Sequence, residues 1–204
     1  MRNAWAIRAY PSGVSKLSEF QSESIIAIGW SGTGELTGKS REEIKKILEL
    51  PPFHLTSLYL GRAYGTVNTF VNQISAGDFV LVPNGDDIFF AKVTSDYYFN
   101  SAARLDDYAH QRKVEWLNRI SRVDLPMEIR QRLKQPTITK LTPYFNLING
   151  LITGTTNIPS KKATIAVSYP LRESFDVKFN IPNDMTQVEA ERLSNHIKTL
   201  YFIQ

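Results

Sequence analysis

The sequence predicts an α+β fold: a mixed body over residues 1–148, a linker or long loop over 149–162, and a small ββα unit over 163–204. Three observations carry this reading. Strand-like and helical patterns are mixed up to about residue 148. An Asn84-Gly85 turn signal joins two apolar runs, and from Gly150 to Ser160 the composition becomes rich in Gly, Thr, Asn and Ser.

Taken in order, Trp5 to Tyr10 alternates and meets Pro11-Ser12-Gly13, an opening strand and turn. Ser24 to Trp30 is a short apolar run suited to a buried strand, ended by Ser31-Gly32-Thr33-Gly34. Ser40 with Glu43 forms a capping box; Ile44, Ile47 and Leu48 give the helix one apolar face, and Pro51-Pro52 ends it. Val67, Phe70, Val71 and Ile74 keep helical spacing up to Gly77. Asp78–Pro83 and Ile88–Val93 flank the hairpin turn, where Asn-Gly supplies the positive φ. Lys113–Leu117 alternates as a strand, Asp124 can cap a short basic helix from Pro126 to Lys134, and Thr137–Leu141 reads as a strand. In the last unit, strand-like runs at Ala163–Ser168 and Phe175–Ile181 precede a second capping box, Thr186 with Glu189. Ala190, Leu193, Ile197, Leu200 and Tyr201 form that helix's apolar face.

Composition narrows function. With 204 residues, 42% hydrophobic and 22% charged, the chain can enclose a core. No run approaches the roughly 20 apolar residues that span a bilayer, and the N-terminus lacks the apolar run of a signal peptide, so a cytoplasmic location without membrane association is expected. The absence of cysteine excludes disulfides, thiol nucleophiles and Cys-ligated zinc. The three histidines, His54, His110 and His196, are far apart in sequence, so no metal or other cofactor is expected. The formal charge is +4, and Arg104–Lys140, with nine basic and five acidic residues, holds all of that excess. A local basic excess can steer a polyanion; the plainer reading is a solvated face.

Catalytic motifs find little support. Glu43-Ile44-Lys45 and Asp176-Val177-Lys178 have an acid-x-Lys spacing but no evident partner acid. Gly29–Gly34 is G-x-x-G-x-G, the wrong pattern for a dinucleotide, and no phosphate-loop sequence exists. Ser12 and Ser31 lack a nucleophile-elbow sequence. Aromatics beside loops, namely Trp30, Tyr64 and Tyr97-Tyr98-Phe99, can instead sandwich a base; the alternative is that Trp5, Trp30 and Trp116 are core, a reading favoured for Trp116 and balanced for Trp30 at its strand end before the glycines.

Several segments in order resemble the EVE-like, PUA-superfamily (YTH-related) domain at the N-terminus of Mrr-type modification-dependent restriction proteins. They are Trp5-Ala6-Ile7-Arg8, Ile26–Trp30 with Gly34-Glu35-Leu36, and Ser40–Ile44. Further on come Phe70 with Ile74-x-x-Gly77-Asp78, Val93–Tyr98, His110-x-Arg112-Lys113-Val114-x-Trp116-Leu117, and Ser121-Arg122-x-Asp124-Leu125. The series spans most of residues 4–141, whereas Pro51–Gly65 departs from the pattern. The resemblance implies a small twisted β-barrel with flanking helices and a pocket for a flipped, modified DNA base. By position, Trp30, Tyr97 and Tyr98 would cage the base, Ser31 would contact its edge, and Arg112, Lys113, Arg119 and Arg122 would meet phosphates. It implies a non-catalytic specificity module of a prokaryotic restriction or antiviral defence system, partnered by a separate or fused nuclease. The rival readings are a sensor of a free nucleotide or small signalling molecule, and a minimal metal-dependent nuclease around Glu43 or Asp176. The ββα appendage is a candidate dimerisation or docking element.

Overall fold

Buried strands dominate the structure, a computed structural model that describes residues 2–133, 137–155, 164–182 and 185–199. The chain divides into two compact units, 1–156 and 157–204. In the first, β1 (Ala4–Ile7), β2 (Ile25–Ile28), β3 (Phe79–Asn84), β4 (Asp87–Val93), β5 (Tyr98–Phe99), β6 (His110–Ser121) and β7 (Ile138–Lys140) form one seven-stranded sheet. Its order is β2-β6-β4-β3-β1-β7, with β5 also on β6, and it curls into a half-barrel. Every pair is antiparallel except β1 with β3. All residues of β1 and β2 are buried, which is why both read as continuous apolar runs rather than alternating ones. A register shift between Phe89 and Ala91 on β4 gives β6 one extra residue, a bulge that bends the sheet.

Five helices flank this sheet: α1 (Leu17–Ser22), α2 (Arg41–Glu49), α3 (Ser57–Asn68), α4 (Met127–Arg132) and α5 (Phe145–Thr153). The Ser40–Glu43 capping box forms in full: Ser40 Oγ accepts from the Glu43 amide, and Glu43 Oε2 accepts from the Ser40 amide. The apolar spacing from Val67 to Ile74 is helical, but Thr69–Gln73 widens into a π-helical turn before Ile74 turns extended. Phe20, Phe70, Phe90, Ile44 and Leu48 fill the core between helices and sheet. Trp5 is 2% exposed, and its indole N–H donates to Asp78 Oδ2 at 2.8 Å.

Two local expectations are corrected and a third is borne out and extended. Asp124 does not cap α4; it ends a 3-10 turn, and Pro126 holds the N-cap position. The stretch read as linker from residue 149 begins inside α5, whose Ile148, Gly150 and Leu151 are buried. Tertiary burial there overrides the loop-like Asn, Gly and Thr content. The strand expected at Lys113–Leu117 is the middle of the twelve-residue β6.

In the second unit, β8 (Thr164–Arg172) and β9 (Phe175–Pro182) form an antiparallel hairpin, followed by α6 (Gln187–Lys198). Thr186 and Glu189 close the second capping box. The register puts Ile165 opposite Ile181 and Val167 opposite Phe179, and a recess of about 380 Å³ between helix and hairpin is lined by Val167, Phe179, Ile181, Leu193 and Ile197. Leu200 and Tyr201 lie outside the described residues. No helix among the described residues is long and apolar enough to cross a membrane.

Candidate functional site

At the end of β2 the backbone turns sharply, and Trp30 adopts φ 68°, ψ 28°. A bulky residue in this left-handed region carries strain of about 1–3 kcal/mol, so its surroundings must hold it there. They do so through its carbonyl, which accepts from the Thr33 amide at 2.9 Å, the Thr33 hydroxyl at 2.9 Å and His110 Nε2 at 3.1 Å. Because a carbonyl only accepts, Nε2 carries the proton and Nδ1 is the acceptor. Nδ1 then accepts a hydrogen bond from the Tyr97 hydroxyl at 2.9 Å, and the Tyr97 oxygen accepts from the Leu36 amide at 3.2 Å. His110 is 0% exposed, and burial pushes its pKa below the usual 6.5. Burial likewise pushes Tyr97 up to about 12. Both groups are thus neutral at physiological pH, as this chain of bonds requires.

A second knot stands beside the first. Asp107 Oδ1 accepts from the Ser31 amide at 2.8 Å, and Oδ2 accepts from the Ser12 hydroxyl. Ser12 (φ 49°) and Asp107 (φ 55°) are also left-handed, so three of the six non-glycine residues with positive φ among the described residues meet here from three distant loops. Such clustering of strain marks functional sites. Gly29 makes the approach possible: a Cβ there would lie 2.6 Å from Asp107 Oδ2.

These residues surround a cavity of about 310 Å³. Tyr10, Pro11, Ile28, Trp30, Phe53 and Leu55 supply aromatic and apolar walls, while Arg8, Ser12 and Asp107 supply polar groups. That size and mixture suit a small organic ligand. A second cavity of about 380 Å³ shares Arg8, Trp30, Leu55 and Thr137 with the first. It adds Tyr59, Arg62, Ala63 and Thr66 from one face of α3.

Of the residues expected to hold a base, Trp30 lines both cavities. Ser31 is 1% exposed, its amide committed to Asp107 and its hydroxyl accepting from the Ala109 amide at 3.0 Å. It positions the loop and lines neither cavity. Tyr97 stands behind Trp30, through His110, and Tyr98 pairs opposite Gln111 in β5; neither lines a cavity.

The expected phosphate cluster does not assemble. Arg112 is 2% exposed, and its guanidinium donates to the carbonyls of Phe70 (3.0 Å), Val71 (2.9 Å) and Ser95 (3.3 Å). It therefore satisfies the π-helical turn's carbonyls. Burial lowers its pKa to about 10, which leaves it charged at neutral pH. Lys113 is exposed on the opposite strand face and reaches the Glu23 carbonyl at 3.1 Å. Arg119 and Arg122 sit near the β3–β4 turn, Arg119 3.7 Å from Asp87 and the Arg122 amide on the Asp86 carbonyl. At about 3.3 Å per residue, seven residues of strand put Arg119 roughly 23 Å from Arg112.

For the nuclease alternative, Glu43 is occupied by its cap: hydrogen bonds from the Ser40 amide and Lys39 hold its pKa down to about 2. The Asp176 carboxylate accepts from Ser168. Among the described residues no three His, Asp or Glu side chains gather as a metal site.

Arg8, Tyr10, Phe53, Leu55, Arg62 and Asp107 were not singled out from sequence. The one signal pointing to them was the pair of Gly-flanked turns at Ser12 and Ser31.

A family model described as a domain of unknown function (DUF8426) matches residues 12–142, a range that takes in every cavity-lining residue except Arg8, Tyr10 and Pro11. No curated protein and no solved structure matches the chain significantly.

Proposed function

We propose that this chain, which belongs to the DUF8426 family, is a non-catalytic recognition module which takes a modified base of DNA into the Trp30 cavity. One observation carries the reading: an indole held by its own carbonyl in a strained conformation, at the wall of a small cavity with a carboxylate and a hydroxyl in its lining. A flipped base would stack on the indole and Phe53, and its polar edge would meet Asp107 and Ser12. Stacking of this kind contributes about 1–3 kcal/mol per base, or about 5- to 150-fold in affinity. The curled α+β sheet is compatible with a PUA/EVE-type domain; on that reading the module serves a cytoplasmic specificity role in a prokaryotic restriction or defence system whose nuclease is separate or fused.

The test is a binding panel of single- and double-stranded oligonucleotides carrying methylated, hydroxymethylated and plain bases, with wild type and Trp30→Ala. The module should prefer one modification, and Trp30→Ala should lose that preference while remaining folded. Equal affinity for every oligonucleotide would overturn the reading. Saturation by mononucleotides alone would transfer the site to a free-nucleotide sensor.

A further inference from the structure

The two cavities that meet at Trp30 differ in charge. Arg8 lines both; the first adds the Asp107 carboxylate and the second adds the Arg62 guanidinium. Tyr59, Arg62, Ala63 and Thr66 follow helical spacing, so α3 turns one continuous face to the second cavity. Among the described residues Arg62 has no ion-pair partner. Arg8 is anchored by Nη2 to the Leu133 carbonyl at 3.4 Å and by its amide to the Thr137 carbonyl at 3.0 Å, so it bridges both cavities from a fixed base. Asp107 spends one acceptor site of each oxygen on Ser31 and Ser12, and an ionised carboxylate has about four in all.

We infer that the two cavities form one polarised nucleotide site: an exocyclic amino group on the base donates to Asp107, and the adjoining phosphate lies with Arg62 and Arg8 across Trp30. The inference rests on the base-binding reading above and adds to it the base edge and the direction in which the nucleotide lies. A carboxylate accepts from an amino group and repels a carbonyl oxygen, so the site favours cytosine- or adenine-type edges over thymine or uracil. Methyl and hydroxymethyl groups at cytosine C5 leave that amine in place. Arginine suits the other end because its fork matches phosphate oxygens. The phosphate belongs either to a free nucleotide or to a polymer.

Calorimetric titration of cytidine, uridine, their 5′-monophosphates, and oligonucleotides with one central dC or dU tests this in wild type, Asp107→Asn and Arg62→Gln. Asparagine keeps the left-handed backbone at residue 107 and an acceptor for the Ser31 amide, but can turn a donor toward the ligand. Wild type should prefer the amino base by about 10- to 100-fold. Asp107→Asn should abolish or invert that preference and leave the gain from phosphate intact. Arg62→Gln should remove the gain from phosphate, leave cytidine affinity unchanged, and flatten the salt dependence by about one unit of slope. Binding of the monophosphates supports a free nucleotide as the source, and binding of the oligonucleotides alone supports a polymer. Equal binding of cytosine and uracil forms, or a phosphate gain indifferent to Arg62, overturns the inference while base binding stands. If none of these probes binds, and none of the methylated or hydroxymethylated oligonucleotides of the panel above binds either, the base reading itself falls.

Discussion

Gly29→Ala isolates the Asp107 knot, because a single methyl group meets it head on. Gly29 lies outside the left-handed region, so alanine fits the backbone, and Gly→Ala alone would stabilise by about 0.4–1 kcal/mol through the unfolded chain. The added Cβ, however, would lie 2.6 Å from Asp107 Oδ2, 3.4 Å from its Cγ and 3.6 Å from its main-chain oxygen. Only the Oδ2 contact is a clash, the other two being ordinary contact distances, and relieving it moves the carboxylate away from the Ser31 amide, the Ser12 hydroxyl, or both. Hydrogen bonds to a charged group contribute about 1.5–3 kcal/mol each. Losing one or two, less the entropic gain, gives a net loss of about 0.5–5.5 kcal/mol. Urea unfolding reads this as a lower midpoint at unchanged slope. In an Asp107→Gly background the clash partner is gone, so the same substitution should be neutral or slightly stabilising, a coupling as large as the hydrogen bonds lost, about 1.5–6 kcal/mol. A loss below about 0.5 kcal/mol, or the same loss in both backgrounds, would refute the reasoning.

Arg112→Met should lower stability by about 3–5 kcal/mol, because three carbonyls lose their donors, whereas Lys113→Gln should stay within about 0.5 kcal/mol. Wild-type stability in Arg112→Met, joined to a reduced salt slope of oligonucleotide binding, would return Arg112 to the phosphate path. Trp30→Gly should be more stable than Trp30→Ala by about 1 kcal/mol in thermal unfolding, since only glycine takes the left-handed turn without strain; the reverse order would show that the turn relaxes. His110 is neutral in the fold, so the unfolded chain binds the extra proton and stability falls as pH drops below 6.5, by at most about 1.4 kcal/mol per pH unit. His110→Gln should flatten that acid limb in unfolding measured at a series of pH values. At the alkaline end Tyr97 keeps its proton up to about 12 while an unfolded tyrosine releases it near 10, so stability should fall across that interval, and less so in Tyr97→Phe.

What could be read from the sequence was what neighbouring residues decide together. Both capping boxes, the Asn84-Gly85 hairpin and the helical stripe to Ile74 form because their partners lie within a few residues. α3 escaped notice because Thr56 makes no side-chain cap and Gly61 and Gly65 weaken its propensity. α5 did so because its helix is held by burial of Ile148 and Leu151 rather than by composition. The same division runs through the site. Trp30 was visible as an aromatic followed by glycines, but Asp107 and Arg62 reach it only through tertiary folding. Arg112 reads as a surface cation because period-two alternation carries no sign that a guanidinium caps a distant helical turn. The PUA/EVE-type expectation keeps its coarse half, a curled α+β sheet.

The place of β1, between β3 and β7, sets an order of assembly. β1 has one neighbour near residue 80 and another near residue 139, and Arg8 docks its amide on the carbonyl of Thr137. The β3–β4 hairpin closes locally and early, whereas these long-range pairings close slowly. Because both cavities include Arg8 and Thr137, neither is complete until almost the whole first unit has been synthesised. A nascent or truncated chain that ends before Thr137 carries the Trp30 turn without a finished pocket around it.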